Sequence, residues 1–404
     1  MSNKFNCTRI TEEFNYFGSN SNLARSYNER IILKTIQKHK KLNRKYISNY
    51  TKLSTPTVST ITAQLLSNDI LQVVGKSHDG GRGQPLINLA LNPNFSSSVG
   101  IEISPTSADI YSIDFSGREK KSFKAPIGLM EADCSSTILD HVSELLKDKE
   151  YYSPELGYIG IAVNISKHDG QLPTQVAGIL SSIQNKFNIS LLSATHAQCA
   201  AIAEEINQTG NTAPYKNALY IWLGEELDSS IILNGEVYFG ENGLAGSFLF
   251  DNIDDRISNN FALNSEYKKV QSIDRINLTC LKEDLAQEVG LSDASDFNSS
   301  ILTENLEFID AWIKDAAHIL YPHIAKLAHT LNFTQIIVGT ALPETLTASL
   351  VRELFKLQES DEYQMNPLTF SRSLAGENAP LVGAAYLPIF QKYAPRSGQL
   401  LNGS

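Results

Sequence analysis

The chain reads as an α/β protein that carries a separate, mainly helical head, and three observations point there. Apolar residues recur at three- and four-residue steps across residues 20–70, short apolar runs alternate with helical stretches from residue 97 onward, and charge is divided between the two regions. Residues 1–95 hold 13 Lys and Arg against 5 Asp and Glu, and the remainder holds 21 against 39, so a head near +8 precedes a body near −18 within a total of −10. An acidic body repels a polyanion, which confines any nucleic-acid contact to the head. A solvated lysine-rich face is the other reading of the same charges.

The 404 residues suffice for two or three compact units. With 42% hydrophobic and 19% charged residues the composition is globular, and no run approaches the roughly 18 apolar residues of a membrane helix. The segment MSNKFNCTRITEEF shows no export signal. Cys7, Cys134, Cys199 and Cys280 form no CxxC pair, which predicts a reduced, cytoplasmic setting without a disulfide framework or a cysteine zinc site.

In order, residues 1–19 read as an N-terminal tail and residues 20–92 as the head. Leu23, Tyr27, Ile31, Ile32, Thr35 and Ile36 line one face of a helix ending near His39, and a second helix, Asn43 to Tyr50, turns Tyr46, Ile47 and Tyr50 inward. Ser54 or Thr55 caps a third helix with Pro56 in its first turn, directing Val58, Ile61, Leu65 and Leu66 inward. Its outward residues are Thr55, Thr57, Ser59, Thr60 and Gln64, short hydroxyls and one amide with no carboxylate, suited to phosphates and base edges. Strands Ile70–Val74 and Leu86–Leu91 then flank a glycine-rich loop, Gly75 to Pro85, bearing Lys76, Arg82 and Gln84. Three helices followed by such a hairpin make a winged helix-turn-helix, whose third helix enters the major groove of double-stranded DNA. Arg82, between Gly81 and Gly83, suits a narrow A·T-rich minor groove. A plain flexible interdomain loop is the alternative for Gly80–Gly83.

Residues 97–395 read as a two-lobed α/β body. Strands are expected at Ser98–Ile103, Ala108–Phe115, Tyr158–Val163, Asn217–Leu223, Ser229–Leu233 and Gln335–Val338, with helices at Ser135–Asp148, Ala197–Ile206 and Asp310–Leu331. The segments GIEISPTSADIYSIDFSG, GYIGIAVNIS, ATHAQCAAIAEE, LNGEVYFGENGLAG and IIVGTALPE resemble the ROK family, which joins bacterial repressors with an N-terminal winged helix to free-standing sugar kinases. LSTPTVSTITAQLL and the GRGQP wing resemble its repressor branch. The resemblance implies an actin-like, ribonuclease H-like two-lobed sugar-kinase fold, an effector cleft and a dimer or higher homo-oligomer that meets a pseudo-palindromic operator.

Departures from the family pattern shape the expected chemistry. The acidic-Gly-Gly-Thr phosphate loop of the kinases aligns with Glu102-Ile103-Ser104-Pro105-Thr106, and a second glycine-rich loop with Gly224-Glu225-Glu226-Leu227-Asp228-Ser229. Such loops work by aiming backbone amides at phosphate oxygens, so Pro105, Glu225, Glu226 and Asp228 predict that ATP does not bind. The family's catalytic Asn-Asp pair aligns with Thr195-His196, and its sugar-binding Glu and zinc-binding His align with Ser247 and Phe250. No Cys or His lies between residues 251 and 264 to complete zinc, which needs about four ligands.

The expectation is therefore a non-catalytic repressor of carbohydrate-related genes without cofactor or metal. Asn164, Thr195, His196, Gln198, Asn242 and Ser247 are the candidates for a rebuilt effector pocket. Loss of the family's carboxylates predicts weak binding of a neutral hexose, and a protonated His196 favours a sugar-derived anion. Two alternatives stand beside it: control by a protein partner with an empty cleft, and a sugar kinase with an added DNA-binding head.

Overall fold

A computed structural model describes residues 7–10, 21–77, 85–104, 107–126, 134–163, 172–207, 215–247, 270, 272–290, 299–359 and 367–395. The head is built from helices α1 (Ser21–His39), α2 (Arg44–Thr51) and α3 (Thr55–Ser67) and a small sheet of β2 (Leu42–Asn43), β3 (Leu71–Ser77) and β4 (Leu86–Leu91), in the order β2-β4-β3. Asn43 starts α2 by accepting a 3.1 Å hydrogen bond from the Tyr46 amide, and the helix stops at Lys52 in the left-handed region. Ser54 caps α3 through the Thr57 amide at 3.3 Å, with Pro56 in the first turn.

Ile32, Ile36, Ile47, Val58, Ile61 and Leu65 fill the centre of the head. Three inward assignments change. Leu66 is half-buried while Thr62 is fully buried, its hydroxyl donating to the Val58 carbonyl at 2.7 Å and accepting from Arg44 Nε at 2.7 Å. Tyr46 and Tyr50 face outward, 40% and 48% exposed, because Ile47 alone supplies the short inner face of α2; Tyr50 stacks on His39 instead. The first wing strand also runs further than expected, to Ser77, through an irregularity between Val73 and Lys76 where Gly75 takes φ +118°.

The body has two sheets. The first contains β5 (Ser97–Ile103), β6 (Ser107–Asp114), β7 (Glu119–Pro126), β8 (Tyr158–Val163) and β9 (Ser190–Ala194), and β1 (Cys7–Arg9) lies parallel to β9 at its edge, giving the order β1-β9-β8-β5-β6-β7. Part of the segment read as a tail is thus a strand of the body, and Ile10 behind it is buried. The second sheet orders β12 (Glu236–Tyr238), β11 (Leu227–Leu233), β10 (Ala218–Leu223), β13 (Gln335–Thr340) and β14 (Thr369–Arg372).

Helices α4 (Cys134–Lys147) and α5 (Thr174–Phe187) belong to the first lobe, and α7 (Leu278–Val289), α8 (Ser299–Glu304), α9 (Leu306–Leu331) and α10 (Glu344–Glu359) to the second. Between the sheets lie α6 (His196–Asn207) and α11 (Ala379–Tyr393). They cross closely, since a side chain at Gly383 would overlap the Cys199 carbonyl and side chains at Gly100 and Gly160 would overlap the α11 backbone at Ala384 and Ala385. Among the described residues no helix is long and apolar enough to cross a membrane.

Candidate functional site

Two regions carry the candidate residues. On α3, Thr55, Thr60 and Gln64 are exposed and Thr57 and Ser59 half-buried, so the row of hydroxyls and amide lies on the side away from the core. Thr57 shares a 2.8 Å hydrogen bond with the Ser54 hydroxyl, and Thr60 donates to the Pro56 carbonyl at 3.0 Å. Lys76 is exposed on β3 opposite Ile87; Arg82 and Gln84 lie outside the described residues. The structure adds two basic residues that periodicity had hidden among helical positions. Arg25 on α1 bonds to Gln64, and Arg44 holds Thr62 from the start of α2. The 13 basic residues within residues 1–95 were the available signal.

The two loop segments expected at the cleft lie on the β5–β6 and β10–β11 hairpins. Ser104 and Ser107 close the first hairpin, with the Ser104 amide donating to the Ser107 carbonyl at 2.9 Å; Pro105 and Thr106 lie outside the described residues. In the second, the Gly224 amide donates to the Glu226 carbonyl at 3.2 Å, and the Gly224 carbonyl accepts from the Leu278 amide at 2.7 Å. The Gly224 amide is thus committed to the turn rather than presented to a phosphate.

Thr195 and Gln198 form a reciprocal cap on α6. The Gln198 amide donates to Thr195 Oγ1 at 3.3 Å, and the Thr195 amide donates to Gln198 Oε1 at 3.1 Å. Gln198 Nε2 also donates to the Gly243 and Ala245 carbonyls, both at 3.3 Å, fixing the glycine turn. Both residues, expected as effector ligands, are buried with their polar atoms engaged in these bonds. Of the remaining candidates, Asn242 is exposed on that turn, Ser247 follows it half-buried, and Asn164 lies outside the described residues, as does Phe250.

Asp228 also differs from its expected role. It is buried, with Oδ2 accepting from the Ala197 amide at 2.9 Å and Oδ1 from its neighbour Ser229 at 2.8 Å. A helix N-terminus attracts an anion, and here the chain's own carboxylate occupies that place.

His196 begins α6 and is 6% exposed. Burial pushes its pKa down to about 4, against a hydrogen bond to the Ile103 backbone, so the ring is neutral at pH 7. Its Nε2 stands 3.7 Å from Glu102 Oε1. Glu102 is pushed up to about 8 by burial, then by the nearby charges of Asp109 and Glu225. A neutral imidazole offers no charge to an anion, and the carboxyl group of Glu102 stands beside it.

α6 joins this cleft to the head. Glu204 is buried and accepts from Ser373 Oγ and the Leu374 amide, each at 2.7 Å, which ties the second lobe to α6. Glu205, next along, pairs with Lys34 of α1 at 2.8 Å. Gln37 donates to the Tyr386 hydroxyl at 2.8 Å and Arg30 to the Ala394 carbonyl at 3.3 Å, so α1 also rests on α11.

Residues 98–248 match the model of the ROK family. Over that span the chain is similar in sequence to ROK proteins. It is 24% identical over 239 residues to the xylose repressor of Caldicellulosiruptor bescii, and 22% identical over 236 residues to that of Bacillus subtilis. These matches cover 56% and 55% of this chain, which spans 59% of the length of each of those relatives. In fold, the chain is similar to a ROK family transcriptional regulator described as a homologue of the E. coli MLC protein, at 14% identity and a TM-score of 0.57 over 91% of this chain and 100% of that one. A ROK family glucokinase from Streptomyces griseus aligns at 15% identity and a TM-score of 0.53, over 72% of this chain and 98% of its own. The two-lobed body accordingly shares its fold with these proteins, and the winged helix is an additional N-terminal unit.

Proposed function

We propose that this protein belongs to the ROK family and is a sequence-specific DNA-binding repressor of carbohydrate-related genes, acting as a dimer or higher homo-oligomer and performing no catalysis. The observation that carries the reading is the outward face of α3, hydroxyls and an amide free of carboxylates, on a head of net charge +8 joined to an acidic body. Relatives named xylose repressor support it. α3 enters the major groove, Thr57 and Ser59 in its first turns meet base edges, and Lys76 with Arg82 and Gln84 on the wing follow the backbone or minor groove.

Signal transfer follows from α6, whose first residue, His196, stands beside Glu102 and whose Glu205, about 14 Å along the helix axis, grips α1. A shift of the lobes that moves α6 moves the head, and a ligand drives that shift only through unequal affinity for the two arrangements. A carbohydrate effector meets Glu102, Asp109 and Glu225, which favour a neutral polyol over a phosphorylated one. Control by a protein partner with an empty cleft is the second reading, favoured by the commitment of Thr195, Gln198 and Asp228 to structural bonds.

Selection of bound duplexes from a random pool by the purified full-length protein tests the proposal, paired with a coupled assay for ATP-dependent sugar phosphorylation. An inverted repeat with half-sites about one helical turn or a multiple apart, and no turnover, are the expected results. Thr57→Ala and Ser59→Ala should each cost the selected site about 1–3 kcal/mol more than random DNA, whereas Lys76→Ala weakens all sequences alike. Recovery of no preferred sequence, or steady phosphorylation of a sugar, would contradict it.

A further inference from the structure

Gln64 does not stand alone on the recognition face. It is exposed, four residues beyond Thr60 and therefore on the same side of α3, and Arg25 from α1 donates to its Oε1. A guanidinium has five N–H donors and no acceptor, so the chemistry of the pair itself turns the Gln64 carbonyl toward Arg25. The amide N–H groups of Gln64 are left to face whatever approaches the helix. Glu29, 4.0 Å from Arg25 Nε, holds the guanidinium from the other side, while half of the Arg25 side chain stays open to solvent, at 52% exposure. Arg25 and Gln64 together thus present a row of donors.

This arrangement inverts what a glutamine ordinarily reads. A lone Gln matches adenine by accepting from N6 and donating to N7, whereas guanine offers two acceptors, N7 and O6, and is matched by paired donors. With Arg25 beside Oε1, an adenine would turn its N6 amino group against a guanidinium N–H, donor against donor. A guanine would meet donors at both atoms. Building on the DNA-binding reading above, we infer that Arg25 is a specificity-determining residue that holds Gln64 so that the pair selects guanine over adenine at one base position in each half-site.

The test is selection from a random duplex pool by the intact protein and by the Arg25→Ala, Arg25→Lys and Gln64→Ala variants, with thermal unfolding of each as the folding control. Both side chains are exposed, so melting should be unchanged. The wild type should show guanine at a symmetry-related position. Arg25→Ala should shift that position toward adenine by roughly tenfold or more in the guanine-to-adenine ratio, the scale of one bidentate base contact. Arg25→Lys, which still donates to Oε1 but lacks the fork, should keep guanine with a smaller ratio. Gln64→Ala should weaken the preference at that same position. A consensus unchanged in Arg25→Ala, with affinity lowered equally for all sequences, would overturn the inference and reduce Arg25 to a phosphate contact. Failure of the wild type to select any consensus would instead overturn the DNA-binding reading and this inference with it.

Discussion

Glu102 couples the cleft to solution pH. Its carboxyl is pushed up to about 8 in the folded protein, so between the ordinary glutamate value of about 4.3 and 8 the unfolded chain has released a proton that the folded one keeps. The group's contribution is then full at low pH and is lost as pH rises through 8. His196, pushed down to about 4, acts oppositely but only below about 6.5, where the unfolded ring takes up a proton. From pH 6.5 to 8.5 Glu102 sets the sign. The melting temperature should fall over that interval, and Glu102→Gln should flatten the fall; an equal slope in that variant, read by thermal denaturation in matched buffers, would contradict the assigned burial. Thr195 and Gln198 were read from the sequence as effector candidates, although Thr195-x-x-Gln198 has the spacing of a capping box. Alignment with catalytic positions drew attention to its chemistry, whereas the hydrogen bonds spend the pair on ending a helix and pinning a turn.

Among elements, α1 works on both its sides. Ile32 and Ile36 belong to the core of the head, while Lys34 and Gln37 reach Glu205 and Tyr386 of the body. The Lys34 and Glu205 side chains are 32% and 25% exposed, between a surface pair and a buried one. Lys34→Ala and Glu205→Ala should therefore each cost about 1–2 kcal/mol in urea unfolding, and the double variant should cost less than their sum. Strict additivity would show that the pair does not couple the units. The head's helices were readable because their apolar spacing and caps are local. Ser190–Ala194 and Thr369–Arg372 were not, being four or five residues long, and Glu119–Pro126 disguised itself as a polar segment because it is an edge strand carrying Lys120, Lys121 and Lys124. Charges on an edge discourage pairing with another chain, and at the opposite edge β1 covers β9 directly.

Over the whole molecule, charge is segregated but packing is continuous. Ile32, Leu33, Ile36 and Leu91 of the head share one hydrophobic cluster with Phe115, Ile202, Ile206 and Phe390 of the body. Charge division suggested two separable units; the shared cluster makes the intact chain the proper object for binding measurements. Sheet order was not readable in advance, because neighbours such as β1 and β9 are brought together from Cys7 and Leu191 by contacts that no local pattern encodes. The central claim, that the α3 face directs this molecule to particular DNA sequences and so to carbohydrate genes, is tested most directly by genome-wide mapping of sites bound in cells by the wild type and by a Thr57→Ala, Ser59→Ala double variant. The account predicts discrete sites sharing an inverted repeat beside carbohydrate genes, lost in the variant. Binding spread evenly over the chromosome, or discrete sites unaffected by the two substitutions, would contradict it.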